Sequence, residues 1–510
     1  MVTPDGVPTI AAMLPDQRRP TTADIVAGLS VAFVAIPQSL AYAEIAGMPA
    51  YTGLYATAFP ALLAAFFAHS RYLQTGPVAM TALLAFGALT PLAVEKTPEY
   101  IGLAALLALL VGLFRLLLGV LRLGRIADFM SQPVIVGFTT AAAILIGGSQ
   151  SDKAFGVEGA PNGLFEKLIH VLTNPGEWTL SAIIVSLVTA AIVIGGRRIH
   201  ALFPGVLVAA VAGILLGAFG DYSAALVGDV PAGLPGLALD LDWSAVPSLL
   251  VAGIVIAAVG FAEPTAISRT LAAQDRERWD ANRELVSQGI ANITAGLSGG
   301  FPVGGSFSRS SVNKLAGAQT RWAGAVTGAT VIAFLPFAGV LSFLPQAVLG
   351  SIVIVAVVKL IRIDDMVRIA RSSIPQAIVA WGTAIATLLL APRVDYGILA
   401  GVGLSLLVHV FREAGRVTVE ASFADDTLTL APSGVMFFAS ATRFQEVLLD
   451  NLARHPDTNA LVIDLSRLGR LDYTGVGILE AVRDEAEAMD TTFAVTNIPV
   501  HARAYLDRFE

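Results

Sequence analysis

The chain contains no cysteine, which excludes disulfides, thiolate metal ligation and thiol redox chemistry. Charge is also scarce. Only 14% of its 510 residues are Asp, Glu, Lys or Arg, where soluble domains carry about a quarter. Lysine is scarcest: Lys96, Lys153, Lys167, Lys314 and Lys359 are the only lysines among 32 basic residues. No basic stripe with interleaved aromatics occurs, so nothing points to nucleic acid as a partner. No nucleotide-binding P-loop occurs, which argues against primary pumping. No Ser-His-Asp or metal-ligand arrangement stands out, so neither an enzyme nor a metal or other cofactor is expected.

What remains is apolar. The composition is 55% hydrophobic and the mean hydropathy is +0.72, the balance of an integral membrane protein. A spanning helix needs about 17–25 apolar residues. Clear candidates are Ile25–Ala46, Gly53–Ala68, Tyr100–Val120, Val134–Gly148, Leu180–Gly195, Pro204–Phe219, Val246–Ile267, Gly324–Val340, Ala347–Ile361, Gln376–Leu390 and Tyr396–Phe411. Gly76–Val94, Leu285–Leu297 and Gly304–Ala316 are shorter or broken by Gly and Pro. The total is about fourteen spans. The polar, Pro-rich segment 1–20 precedes them, and the run after Arg19 continues into more membrane, as a first span does and a signal peptide does not. With the N-terminus inside, the inner connections collect Arg71, Arg122, Arg125, Arg269 and Arg362, whereas the outer ones hold only Lys96, Lys153, Lys167 and Arg393. The positive-inside bias thus predicts an even number of spans and cytoplasmic termini, in a cell membrane of bacterial type.

Three regions are therefore expected: the cytoplasmic segment 1–20, a transmembrane region 21–411, and a soluble α/β domain 412–510. In the last, Val417–Ala421 and Thr427–Leu430 alternate as strands, and Thr442–Leu452 reads as an amphipathic helix. Ala460–Asp464 is a buried strand, Val476–Ala488 a helix and Phe493–Val495 a third core strand. The membrane region repeats itself. Pro264 in Glu263-Pro264-Thr265 follows Pro37 in Ile36-Pro37-Gln38 by 227 residues, and Gly304 follows Gly76 by 228. An odd number of spans separates each pair, so repeats of roughly 21–220 and 240–411 have opposite orientation. Inverted-repeat transporters bind substrate at the midplane, where broken helices point their N-termini at it.

Gly76-Pro77 and Gly304-Gly305-Ser306 are suitable starts for such broken helices. A helix that begins within the membrane leaves backbone N–H groups unpaired, and its dipole favours an anion. Gly allows close approach and Pro lacks an N–H where none is needed. Arg309, one turn into the second broken helix, would add fixed positive potential or pair with a carboxylate such as Glu263. Glu263 follows an apolar run and is a candidate for a coupling proton. Glu44 is the second candidate. It has no basic neighbour within its own span, which makes it the expected proton carrier, unless it merely sits at the outer water boundary.

Pro37-Gln38-Ser39-Leu40-Ala41-Tyr42-Ala43, with Ala46-Gly47-Met48-Pro49 and Gly53-Leu54-Tyr55, resembles the signature of the sulfate permease family of anion transporters, relatives of prestin and pendrin. Glu263-Pro264-Thr265-Ala266-Ile267-Ser268-Arg269 and Gly305-Ser306-Phe307-Ser308-Arg309-Ser310 resemble two further motifs of that family. The resemblance implies an α-helical polytopic protein of fourteen spans in two inverted seven-span repeats, divided into core and gate subdomains. A cytoplasmic STAS domain and assembly as a homodimer are implied with it. It places a small anion between the broken helices, flanked by Gln38 and Tyr42, with Val78 and Ala79 at one helix start and Ser306, Phe307 and Ser308 at the other. Arg309 would set the potential beside Glu263. Ala460 to Ser466 with Leu471-Asp472-Tyr473-Thr474-Gly475 resembles the STAS strand and loop. There Thr474 matches a hydroxyl phosphorylated in stand-alone STAS proteins. The simpler reading is that Asp472 or Thr474 caps the next helix.

A secondary transporter of small anions is expected, through alternating access and coupled to a proton. Sodium coupling, exchange, or an anion channel or voltage-dependent motor on the same scaffold remain open. A nucleobase permease shares the inverted fold but usually lacks the STAS domain and the Ser-Phe-Ser-Arg motif. Sulfate, bicarbonate and small dicarboxylates all fit a cradle of two helix starts and one arginine.

Overall fold

The computed structural model describes residues 19–125, 130–161, 164–200, 203–414, 418–436, 441–500 and 502–503. The expected segment 1–20 lies almost wholly outside the described residues, as do residues 415–417 at the start of the soluble region. The chain divides into two compact units, Met1–Val402 and Gly403–Glu510.

The membrane unit is a succession of apolar helices. Its first half runs through α1 (Thr22–Ile45), α2 (Thr52–Ala64), the two-residue strand β1 (Thr75–Gly76), α3 (Ala79–Leu89), α4 (Pro98–Val120) and α5 (Gln132–Ser149). The short α6 (Ser151–Phe155), the amphipathic α7 (Leu164–Thr173), α8 (Leu180–Ile199) and α9 (Gly205–Phe219) complete it. The second half repeats the plan with α10 (Val246–Gln274), α11 (Ala281–Leu297), the strand β2 (Gly304–Gly305), α12 (Phe307–Leu315), α13 (Trp322–Phe334) and α14 (Gln346–Val358). It continues with the amphipathic α15 (Ile363–Ser372) and α16 (Ile374–Leu389), and α17 (Val394–Ala414) begins in this unit and runs past Val402 into the second. Every apolar segment expected from the sequence coincides with one of these helices. Among the described residues, 7 helices are long and apolar enough to cross a membrane. The others are shorter or more polar. In particular α3, at 11 residues, and α12, at 9, extend only about half way across a hydrocarbon layer of about 30 Å.

Packing sorts the helices into two groups. In one, α4 lies along α11 and α10, α13 lies on α1 and α2, and α11 lies on α2. In the other, α5 packs on α16 and α14, and α8 on α9 and α14. The groups meet where α1 touches α14 and α9, and where α3 touches α5. The α4–α11 pair approaches backbone to backbone through a glycine on each helix. A Cβ on Gly112 would meet the Gly289 carbonyl at 2.7 Å, and one on Gly289 would meet the Gly112 carbonyl at 2.9 Å. Small residues are what allow membrane helices to touch backbone to backbone.

Buried carboxylates fasten the helix starts. Asp24 forms a capping box with Thr21 at the head of α1, and its Oδ1 accepts the N–H groups of Gln319 and Thr320, both at 2.8 Å. At the head of α11, Glu284 accepts the Ser70 N–H at 2.9 Å, securing the loop that leads into β1. On the same side Asp275 meets Lys314 at 2.8 Å; that contact holds its carboxyl below the usual carboxylate range. These partners all belong to connections that the charge pattern assigns to one side.

The soluble unit is built on β3 (Thr418–Ala424), β4 (Thr427–Met436), β5 (Ala460–Asp464), β6 (Leu468–Leu471) and β7 (Thr492–Thr496), with α18 (Ala441–Arg454) and α19 (Tyr473–Ala488). The sheet order is β3-β4-β5-β7, with β6 also on β4. β3 is antiparallel to β4, and the remaining pairs are parallel. Leu428, Leu430, Leu461 and Ile463 point to one side and are buried with Phe444, Leu448, Val476 and Leu479 of the helices. This is the period-two pattern of a half-covered strand. The sequence reading stopped β4 at Leu430 and missed β6. The reason is Pro432. It stands between the last β5 partner, Ile463 opposite Leu430, and the first β6 partner, Leu468 opposite Gly434. There the parallel side has no ladder, and a residue without an N–H costs little.

Candidate anion-binding site

Two short strands hold the site together. β1 and β2 pair antiparallel, with Thr75 opposite Gly305 and Gly76 opposite Gly304. Each runs directly into a short helix, so α3 and α12 both begin inside the membrane unit. At α3 the first intrahelical bond runs from the Ala82 N–H to the Val78 carbonyl. The N–H groups of Ala79, Met80 and Thr81 therefore have no helical partner. Val78 gives no side-chain cap. At α12 the Ser306 hydroxyl caps the Arg309 N–H at 3.4 Å and the Phe307 N–H is directed at the Glu263 carboxylate, leaving Ser308 as the open donor of that first turn.

The cross is braced by polar side chains. The Gln74 N–H donates to Ser310 Oγ at 2.9 Å, and the Ser306 N–H donates to the Gln74 carbonyl at 3.0 Å. Gln288 of α11 donates to Thr75 Oγ1 at 2.7 Å. Asn292, one turn on, accepts the Val303 N–H at 2.9 Å and donates to the Val303 carbonyl at 3.0 Å. Both strands are thus set by α11.

Arg309 is buried, at 1% exposure. Its Nη2 donates to the Pro77 carbonyl at 2.8 Å, while Nε and Nη1 have no hydrogen-bond partner. Gly76 is required beside it. Its φ is +157°, and a Cβ there would lie 3.2 Å from Arg309 Nη2. Tyr42 and Glu263 are the charged or polar neighbours that act on the guanidinium. The Phe307 N–H faces the Glu263 carboxylate. Gln38 and Tyr42, four residues apart on α1, are both buried, and Gln38 Oε1 is unpartnered. Val78, Ala79 and Ser306 are buried, Ser308 is half-buried and Phe307 is exposed. Two helix starts and a buried cation with spare donors, with Glu263 beside the second start, are an arrangement whose net potential favours a small anion. Among the described residues no cluster of His, Asp and Glu could hold a metal ion.

The family model of the sulfate permease family matches residues 22–383, and that of the STAS domain matches 418–510. The chain belongs to the sulfate permease family. It is 30% identical over 514 residues to sulfate transporter 4.1, chloroplastic, of Arabidopsis thaliana, covering 93% of this chain and 75% of that one. Its fold is that of the murine solute carrier 26 family member A9 anion transporter, with a TM-score of 0.88 at 21% identity over 99% of this chain and 90% of that one. The transmembrane domain of the cyanobacterial bicarbonate transporter BicA superposes with a TM-score of 0.66 at 25% identity, over 75% of this chain and 97% of that domain. This member of the sulfate permease family is a multi-pass membrane protein with a C-terminal STAS domain.

The geometry revises one sequence expectation and decides two alternatives left open by the sequence. Arg309 and Glu263 influence each other but form no ion pair within bonding distance, because the guanidinium is held by Pro77 instead. Glu44 does have a basic partner: it pairs with Lys153 of α6, and both side chains are largely buried. The reading that Glu44 lacks a counter-charge considered only its own span, and the partner comes from another helix. At the STAS loop Asp472 is the cap, accepting the Gly475 N–H at 2.9 Å, and Thr474 is exposed in the first turn.

Sequence reasoning passed over Arg115, which is fully buried in α4. The signal was present as an arginine inside the apolar run Leu113-Phe114-Arg115-Leu116-Leu117. Gln288 and Asn292 were passed over for the same reason, as polar dips within an otherwise apolar segment.

Proposed function

We propose that this protein is a secondary transporter that carries a small anion by alternating access, with the anion held between the starts of α3 and α12. The observation that supports this most directly is Arg309: a buried guanidinium with two unpartnered nitrogens among the described residues, beside the open N–H donors of the α3 start and the Ser308 N–H of α12. Anions bind at helix N-termini, and a buried cation without an ion pair is stabilised by one. Gln38, Tyr42, Val78, Ala79, Ser306, Phe307 and Ser308 complete the contacts. The substrate is an inorganic oxyanion such as sulfate or bicarbonate, or a small dicarboxylate. Inward movement of such an anion against a negative membrane potential costs about 2.3 kcal/mol per elementary charge per 100 mV, so co-transported positive charge is needed. The proton is that charge in this reading. Glu263 carries it, because Glu44 is committed to Lys153. Sodium-coupled symport and anion exchange or conduction on the same scaffold are the competing modes. The protein works as a homodimer in the cell membrane with both termini in the cytoplasm.

Reconstitution into proteoliposomes tests the reading. Labelled sulfate, bicarbonate and a C4 dicarboxylate are offered with imposed pH or sodium gradients. Accumulation of one anion that follows the pH gradient, and its loss in Glu263→Gln with exchange retained, is the expected result. Accumulation driven by sodium alone overturns the proton assignment, and no uptake of any anion overturns the transport reading.

A further inference from the structure

Arg115 is enclosed in the membrane unit, at 0% exposure. Its Nε donates to the Ala257 carbonyl at 3.1 Å, Nη1 to the Val303 carbonyl at 2.8 Å and Nη2 to the Ile256 carbonyl at 3.1 Å. Among the described residues no charged side chain offsets it, and burial is what acts on the group. Val303 is the residue immediately before β2. Gly260 lies on the other flank, where a Cβ would be 2.5 Å from Arg115 Nη2, and a Cβ on Gly304 of β2 would be 3.5 Å from the Gly260 carbonyl. The cation therefore stands directly behind the strand that leads into α12.

A purely structural clamp does not need this charge. Asn292 already holds Val303 through both its N–H and its carbonyl. It does so with a neutral amide, which costs far less to bury than an ion. What the guanidinium adds is a fixed positive potential in a region of low dielectric, where charge acts over longer distances than in water. Arg309 supplies positive charge at the mouth of the same helix start. Arg115, bonded to the Val303 carbonyl, and Arg309, at the other end of the Val303–Arg309 segment and only partly offset by Glu263, give two positive charges that suit an anion carrying more than one charge.

We propose that Arg115 is a positioning residue for the anion: a fixed charge behind β2 that sets how strongly the site holds divalent relative to monovalent anions. The inference rests on the anion-transport reading and deepens it. Coulomb energy scales with the charge of the anion, so a loss of potential that weakens a monovalent ion about three-fold weakens a divalent one about ten-fold. The structural alternative weakens both alike.

The test compares KM for sulfate and for bicarbonate in proteoliposomes of Arg115→Gln, Arg115→Lys and Asn292→Ala, with melting temperature measured on each. Arg115→Gln is expected to raise KM about ten-fold for sulfate and about three-fold for bicarbonate. Arg115→Lys keeps the charge but its single ammonium cannot serve three carbonyls, so it should melt earlier while both KM values stay within about two-fold of wild type. Asn292→Ala should raise both KM values by the same factor. Equal loss for the two anions in Arg115→Gln, or in Arg115→Lys should the glutamine variant not fold, overturns the inference and leaves the transport reading standing. Wild-type protein that carries neither anion and is stabilised by neither overturns both.

Discussion

The guanidinium of Arg309 donates to the carbonyl of Pro77 at 2.8 Å, across 232 positions of sequence. A cation that belongs to the second broken helix is thus moored to the residue that opens the first. The two repeats do not merely face one another across the site. They share the hydrogen bond that moors the guanidinium, so a movement of either helix start displaces the charge that both use. Nε and Nη1 remain available for a third party.

Arg309→Ala is accordingly expected to weaken anion affinity roughly ten- to hundred-fold, as the loss of a charge-assisted contact of about 1.5–3 kcal/mol requires. Melting should change little or rise, because a buried and partly unsatisfied cation is removed. Arg309→Lys should recover part of the affinity, as a point charge without the planar fork. Substrate-induced thermal shift and tracer uptake measure both. Unaltered affinity in Arg309→Ala sinks the assignment.

Ser310→Ala tests the brace rather than the charge. It removes the acceptor of the Gln74 N–H, which is buried at that point. A buried donor left without a partner costs about 1–3 kcal/mol. Stability should fall by that amount, and affinity for every anion should fall by one common factor, since the α3 start is held through Gln74. Guanidinium-independent thermal melts and uptake of sulfate and bicarbonate side by side provide the readout.

The lesson about legibility lies in these same residues. Gly76, Pro77, Gly304, Gly305 and Arg309 were readable because repeated landmarks at a shared offset need no three-dimensional knowledge. That the two starts pair as the strands β1 and β2 was not legible, because two residues carry no strand periodicity. Gln288 and Asn292 were not legible either, because their partners Thr75 and Val303 lie on other segments, 213 positions away in the first case. A hydropathy pattern records such residues only as shallow dips. Arg115 was more conspicuous, but its three acceptors are backbone carbonyls, which carry no sequence pattern at all. In the STAS domain the alternating strands were legible, and the strand interrupted by Pro432 was not.

The anion site should be independent of the soluble unit. All of its residues lie between Gln38 and Arg309, upstream of β3. A chain ending at Phe411 is expected to keep substrate-induced thermal stabilisation, even where its yield or transport rate falls. Asp472→Ala offers a finer version: loss of the cap on α19 should cost about 1 kcal/mol in the STAS domain and leave KM unchanged. Loss of anion binding in a well-folded truncation would show that the STAS domain contributes to the site.

Glu44 and Lys153 make the sharpest contrast with expectation. Glu44 ends α1, in the group of helices that holds the anion site, and Lys153 stands on α6, adjoining α5 and α14 of the other group. Lys153 Nζ also donates to Gln150 Oε1 at 3.2 Å, so the cation is positioned from its own side. The pair thus ties the two groups together at the end opposite Asp24 and Glu284. Breaking a largely buried ion pair by removing one partner is strongly destabilising, about 3–5 kcal/mol, because the other charge is left uncompensated. Glu44→Gln and Lys153→Gln should each lower the melting temperature. The double variant should be less damaged than the sum of the singles, with a coupling energy of about 1–3 kcal/mol. Neither single variant should uncouple accumulation from the pH gradient, because a carboxylate engaged with Lys153 is not the one that exchanges the proton. Additive melting shifts in the double variant would show that the two side chains do not interact, whereas a Glu44→Gln protein that exchanges anions but no longer responds to the pH gradient would return the proton to Glu44 and leave Lys153 as its counter-ion.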